Sequence, residues 1–271
     1  KTRTLALLLA CMLKESPCLS IALAAPTGKS AHRMRQSIAQ TLEDVDLPSE
    51  VAEKLLHSAR ASTLHRLLGS VHGSVDFRRN AGNPLSCDVV VVDEVSMVDL
   101  PLMAKLCSAL SQDAVLILAG DANQLSPVQG GAVFNSLVRE LIPNTFCTHQ
   151  KTNLASFSKL GRFKEINHPL GGCLVNLSHS HRRSRKERST DELGNLCDAI
   201  REGRGEDALS MVRASEDSLC LIESLDDPAI PHLLRQGFES LNHSTGPQEA
   251  ISALGKFRIL CAHNQGRFGV D

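Results

Sequence analysis

Apolar residues along the chain come in short blocks, separated by polar stretches rich in Gly and Pro. Residues 4–14 (TLALLLACMLK) read as a buried helix, and residues 20–25 (SIALAA), an apolar run ending at Pro26, as a strand. Residues 28–40 suit a helix, 43–60 are polar with one helical pattern, and 62–69 form a compact unit closed by Gly69. Residues 70–86 carry Gly73, Gly82, Asn83 and Pro84 and read as loop or a small excursion. Val89 to Val92, four β-branched residues in a row, give the strongest strand signal. A helix follows with Asp99 as N-cap and Pro101 in its first turn, placing Leu102, Met103, Leu106 and Leu110 on one face. Residues 114–119 (AVLILA) read as a second buried strand.

Strands alternating with helices imply a parallel sheet with helices on both faces, an α/β architecture. From about 143 to 172 the pattern weakens, with Pro143, Pro169, Gly171 and Gly172, and a domain boundary is expected near 170, giving domains 1–170 and 171–271. Beyond it, residues 173–177, 218–223 and 257–261 read as strands. A helix is expected to start at Ser189, with Glu192 completing a capping box and Gly203 ending it. No internal repeat is visible.

Composition narrows this picture. With 271 residues and 42% hydrophobic content, a sizeable core is expected and wholesale disorder is not. Aromatics are eight Phe with no Tyr and no Trp, so aliphatic side chains must fill the core, which suits a parallel sheet better than an all-β fold. A formal net charge of -1 gives no global basic signature for nucleic acid, leaving only local patches. The nine cysteines form no CxxC and no zinc-finger spacing, so they read as small buried hydrophobes in a reducing, cytoplasmic setting. The apolar opening from Leu5 to Leu13 is too short to span a bilayer, although it has the length of a signal-peptide core. No membrane association is expected.

Chemistry concentrates in residues 89–99 (VVVVDEVSMVD). The carboxyl end of a parallel strand delivers side chains to the crevice where nucleotides bind. There Asp93 can hold a magnesium ion bridging phosphates, and Glu94 can orient and deprotonate an attacking water. Taken alone, the pattern also fits a strand end with two solvated acids. Residues 119–127 (AGDANQLSP), directly after the other buried strand, shift the balance. Gly120 permits a tight turn, and Asp121 and Gln124 emerge at the same sheet edge, where an amide can bond a γ-phosphate oxygen. Gly28-Lys29-Ser30 looks like the end of a phosphate-binding loop, but that loop needs a glycine where Leu23 stands. Lys1-Thr2 is the better candidate, since it enters a buried helix as the end of a P-loop does. Lys1 would neutralise the β- and γ-phosphates and Thr2 would ligate magnesium. The alternative is an arbitrary start at two polar residues. Because the first residue is Lys, the chain is expected to be cut from something longer, with the glycine-rich segment ahead of it.

Together the segments ALAAPTGKSAHRM, STLHRLLG, AGNPLSCDVVVVDEVSMVDLPLM, LAGDANQLSPVQGGAVF and FRILCAHNQGRFGV resemble superfamily 1 helicases, and within them the RecD family. That family supplies the α subunit of exodeoxyribonuclease V, the 5′-to-3′ motor of a heterotrimer that processes double-strand DNA ends in recombinational repair. The resemblance implies a RecA-like P-loop NTPase fold followed by part of a second RecA-like domain. It also implies ATP and Mg²⁺ as ligands, single-stranded and duplex-end DNA as substrate, and RecB-like and RecC-like subunits as partners. It assigns Lys1 and Thr2 to motif I, Asp93 and Glu94 to motif II, and Gln124 to motif III. Pro26, Thr27 and Gly28 fall in motif Ia, which touches the DNA backbone. Thr63 and His65 lie in another DNA-facing segment, and Arg182 matches the arginine that reaches the γ-phosphate from the second domain.

Departures from the family pattern are expected to matter. Most of motif I and the last motifs are missing, so the stretch from 1 to 271 by itself is expected to hydrolyse ATP poorly or not at all. Ser126-Pro127 also differs from the family pattern. From the residues alone, the basic run Arg182, Arg183, Arg185, Lys186 and Arg188 could contact phosphates or be a solvated loop. A stand-alone translocase on DNA or RNA remains open, as does a non-catalytic scaffold. The residues offer no candidate for nuclease chemistry.

Overall fold

The computed structural model describes residues 1–45, 47–58, 61–124, 127, 130–147, 150, 164–166, 168, 170–177, 192–215, 219–261, 265–266 and 269–270. The chain divides into two compact units, Lys1–His181 and Arg182–Asp271.

The first unit is built on a four-stranded parallel sheet. Helix α1 (Thr2–Glu15) leads into β1 (Ile21–Ala25), followed by α2 (Gly28–Glu43), α3 (Ser49–Ser58), β2 (Ser62–Thr63), α4 (Leu64–Leu68), β3 (Val89–Val92), a 3₁₀ turn (Val95–Met97), α5 (Leu100–Ser108) and β4 (Val115–Leu118). The strand order is β2-β1-β3-β4, with Ala25 beside Thr63, Ile21 beside Val89, and Val89 beside Val115. Each connection crosses over through helical chain, as parallel pairing demands. The Val run at 89–92 is buried on both faces because β3 lies between two strands and two layers of helices.

Alternation along the strands sorts the core into two halves. On one face Leu5, Leu9 and Leu13 of α1, Met34 and Ile38 of α2 and Leu55 of α3 pack on Leu23, Val89 and Val91. On the other, Leu64 and Leu68 of α4 and Met103 and Leu106 of α5 pack on Val90 and Val92. The apolar opening of the chain is therefore a core helix. Among the described residues no helix is long and apolar enough to cross a membrane. Leu9 is 0% exposed, so Leu9→Ala should cost about 2–5 kcal/mol of stability, read as a lower urea midpoint. An unchanged midpoint would mean that α1 does not pack there.

Helix starts follow local chemistry. Asp99 accepts the Leu102 N–H at 2.8 Å, as expected of the N-cap of α5. Thr27 caps α2 by accepting the Ser30 N–H, and Thr63 caps α4 by accepting the Arg66 N–H, both at 3.2 Å. The 70–86 excursion is a closed loop: Arg78 and Arg79 N–H donate to Gly69 and Leu68 carbonyls, and Asn80 and Asn83 exchange backbone bonds.

After β4 come α6 (Val133–Glu140) and a two-stranded parallel pair, β5 (Thr145–Phe146) with β6 (Lys164–Glu165). The second unit contributes α7 (Glu192–Arg201), α8 (Gly205–Ala214), α9 (Ala229–Gly237), α10 (Glu239–Asn242) and α11 (Pro247–Leu254). Gly203 ends the α7 region in the left-handed conformation at φ +74°, which favours glycine. The capping-box residue Ser189 lies outside the described residues.

Three expected features differ. Residues 173–177, 219–223 and 257–261 are irregular rather than strands, and Val175, Leu221, Ile259 and Leu260 are exposed. An apolar run becomes a strand only when a neighbour supplies a ladder, and among the described residues these segments gain none, Leu174 and Asn176 meeting the single residue Asn144. The strand at 115–118 forms, but it is only partly buried, with Val115 exposed, because it stands at the edge of the described sheet. The cysteines are free thiols, and none is buried: Cys87 and Cys147 are half-buried and the other seven exposed. Cys11, for example, lies on α1 away from the face carrying Leu5, Leu9 and Leu13.

Candidate functional site

The carboxyl edge of the sheet is where strand ends, helix starts and polar side chains converge. Beyond Val92 the chain continues pairing for one residue, the Asp93 N–H donating to the Ala24 carbonyl at 2.9 Å. This places the Asp93 side chain at the rim, 5% exposed. Glu94 then turns sharply, with φ 53° and ψ 38° in the left-handed region. A non-glycine residue there carries roughly 1–2 kcal/mol of strain. Local bonds hold it: the Glu94 N–H donates to Asp93 Oδ1 at 2.9 Å and the Val95 N–H to the Ala119 carbonyl at 3.1 Å.

Lys1 closes the group. Its Nζ lies 2.9 Å from Asp93 Oδ1 and 3.0 Å from Glu94 Oε1. Burial alone would pull the Lys1 ammonium down. Hydrogen bonds and charge attraction from Asp93 and Glu94 outweigh that and raise it above its ordinary 10.5. Glu94 Oε2, by contrast, is buried with no hydrogen-bond partner among the described residues. A buried carboxylate oxygen left open beside a lysine is poised to accept a bond from a further group. Thr2, next to Lys1, is the first residue of α1 and half-buried.

The second strand end adds an amide. Gln124 Oε1 accepts a bond from Ser96 Oγ at 3.4 Å, linking the turn after β3 to the loop after β4. Gly120 makes this approach possible. A Cβ there would lie 2.7 Å from Phe134 Cε1 and 2.8 Å from Val95 Cγ1. Asp121 is exposed, and its Oδ1 is engaged in its own turn by the Asn123 N–H at 3.0 Å. Ser96 escaped the sequence reading. It is 3% exposed in an otherwise apolar turn, and a lone buried hydroxyl among valines was the available signal.

Further along the same edge, Pro26, Thr27 and Gly28 follow β1, and Thr63 ends the adjacent β2. Gly28 opens α2 under the Thr27 cap, whose hydroxyl also lies 2.8 Å from Ser30 Oγ. His65 is exposed on α4, its ring centroid 5.7 Å from that of Phe77. It is Lys1, therefore, that meets the acidic pair, while the Gly28-Lys29-Ser30 segment starts a helix capped by its own threonine. Arg182 and the basic run to 188 lie outside the described residues. Among the described residues no cluster of three or more His, Cys, Asp or Glu could by itself cage a metal ion. That leaves Asp93 as a single carboxylate, the kind of site Mg²⁺ shares with phosphates and water.

Comparison with known proteins bears on these residues. The model of the AAA domain family AAA_19 matches residues 1–130, which contain Lys1, Asp93, Glu94 and Gln124. The whole chain aligns at 34% identity with the RecBCD enzyme subunit RecD of Mycobacterium tuberculosis, covering 42% of that protein. A second RecBCD enzyme subunit RecD, from Haemophilus influenzae, is 38% identical over 216 residues, 78% of this chain and 33% of that protein. Over its whole length the chain is therefore similar to RecBCD enzyme subunits RecD.

The chain spans less than half the length of the curated relatives it matches. The ATP-dependent RecD2 DNA helicase of Deinococcus radiodurans is 39% identical over 119 residues, 44% of this chain and 14% of that protein. A solved structure described as Bacteroides Pif1 bound to ssDNA covers 86% of the chain at 17% identity with a TM-score of 0.36, too distant to bear on the site.

Proposed function

We propose that the intact protein is an ATP-driven DNA helicase subunit, working 5′ to 3′ on DNA ends in a complex with RecB-like and RecC-like partners. The observation that carries this reading is the Lys1 ammonium within 3.0 Å of both Asp93 and Glu94 at the carboxyl edge of a parallel sheet. Such an arrangement serves nucleotide phosphates and the water that attacks them. Alignment of the whole chain to a RecBCD subunit, against alignment of 44% of it to the RecD2 helicase, favours a subunit over a stand-alone enzyme.

In this reading Lys1 neutralises the β- and γ-phosphates of ATP. Thr2 and Asp93 would hold Mg²⁺, which when bound offsets phosphate charge. The open Oε2 of Glu94 accepts a proton from the attacking water. Gln124 donates from its amide to a γ-phosphate oxygen, and Arg182 adds a positive charge from the second domain. Asp121 shapes the loop that carries Gln124 and supports nucleotide binding through it. Pro26, Thr27, Gly28, Thr63 and His65 line the edge offered to the DNA backbone, where sequence-independent contacts suit a translocating motor. The start of α2, at Gly28, offers the positive end of a helix dipole to that backbone.

The test is ATP hydrolysis by the intact protein with and without single-stranded DNA, alongside displacement of a labelled strand from a duplex with a 5′ overhang. Hydrolysis should rise on adding DNA, and the strand should be released only with ATP. Hydrolysis indifferent to DNA, with no strand release, would refute the helicase reading.

A further inference from the structure

We infer that Ser96 is a positioning residue for hydrolysis, fixing which end of the Gln124 amide faces the γ-phosphate. This rests on the reading of Gln124 given above and adds a residue to it. A γ-phosphate oxygen only accepts hydrogen bonds, so Gln124 must present its Nε2 hydrogens and not its Oε1. An unrestrained amide can rotate and present either end. Ser96 Oγ donates to Oε1 at 3.4 Å, which occupies the oxygen and leaves the nitrogen end outward.

The geometry gives Ser96 little alternative. It is 3% exposed and sits in the 3₁₀ turn immediately after Glu94. That turn is pinned by the Val95 N–H to Ala119 bond at 3.1 Å and by the Met97 N–H to Glu94 bond at 3.1 Å. Gln124 is exposed, but its backbone N–H is tied to the Asp121 carbonyl at 3.2 Å, so its side chain starts from a fixed turn. One short turn thereby carries the Glu94 carboxylate and the hydroxyl that orients Gln124. A shift of Glu94 would be passed to the amide through two residues.

A double-mutant cycle in the intact protein tests this, reading steady-state ATP hydrolysis with saturating single-stranded DNA. Ser96→Ala should lower kcat about fivefold, the worth of one neutral hydrogen bond, with KM for ATP unchanged. In the Gln124→Ala background, the same substitution should have no further effect. Equal losses from Ser96→Ala in both backgrounds would overturn the positioning role, because a purely structural serine acts whether or not the amide is present. A rise in KM at constant kcat would overturn it too. Wild-type turnover in Gln124→Ala alone would instead overturn the underlying reading of Gln124. Ser96→Cys keeps a weak donor of similar size and should fall between wild type and Ser96→Ala; a kcat at or below that of Ser96→Ala would count against the hydrogen bond.

Discussion

Glu94→Gln in the intact protein is expected to lower DNA-stimulated ATP hydrolysis about 10²–10⁴-fold, the range for losing a positioned general base. The substitution keeps size and removes only the proton acceptor. Asp93 keeps its contact with Lys1 at 2.9 Å, so the groups that hold phosphate and metal stay in place and nucleotide affinity should change little. Stability should fall by about 1–3 kcal/mol at most: glutamine bears the left-handed φ of 53° at the same cost as Glu94, but an amide nitrogen at the Oε2 position would be one more buried group needing a partner. Single-turnover hydrolysis beside equilibrium binding of a fluorescent ATP analogue separates the two effects. Turnover near wild type would remove Glu94 from the chemistry and leave it as a partner of Lys1.

Lys1→Met should produce the second largest loss, and mostly in binding. Charge-assisted hydrogen bonds to phosphate are worth about 1.5–3 kcal/mol each, so losing one or two should weaken ATP binding roughly 10²-fold or more. The substitution also leaves Asp93 and Glu94 as adjacent like charges at the rim without the Lys1 ammonium between them. The pH dependence of stability has a definite sign. Because the folded protein raises Lys1 above 10.5, the stabilisation from this contact is complete below that pH and fades only as pH climbs through the raised value. The stability gap between wild type and Lys1→Met should therefore be flat through neutral pH on the lysine's account and shrink only in strong alkali. A gap that closes between about pH 7 and 9 would mean that Lys1 is not ion-paired as described.

Much of the first unit was legible because its signals are local. Four consecutive valines at 89–92 can satisfy their side chains only in a strand buried on both faces. Asp99 with Pro101 marks a helix start by bonds made within one turn. The capping roles of Thr27 and Thr63 are equally local. The runs at 173–177, 219–223 and 257–261 misled for the opposite reason: their β-like composition is local, but a strand is a property of a pair.

Sequence by itself determined that Asp93 and Glu94 end a buried strand, that Gly120 and Gln124 follow a second strand, and that Lys1 enters a core helix. Each of these depends on residue type and spacing within a few positions. Tertiary structure alone decided that the Lys1 ammonium reaches both carboxylates, that Glu94 adopts a left-handed turn with one oxygen open, and that Ser96 meets Gln124 across 28 residues of chain. Those facts depend on strand order. Placing β3 directly beside β4 sets the two strand ends side by side, and no pattern along one strand specifies its neighbour.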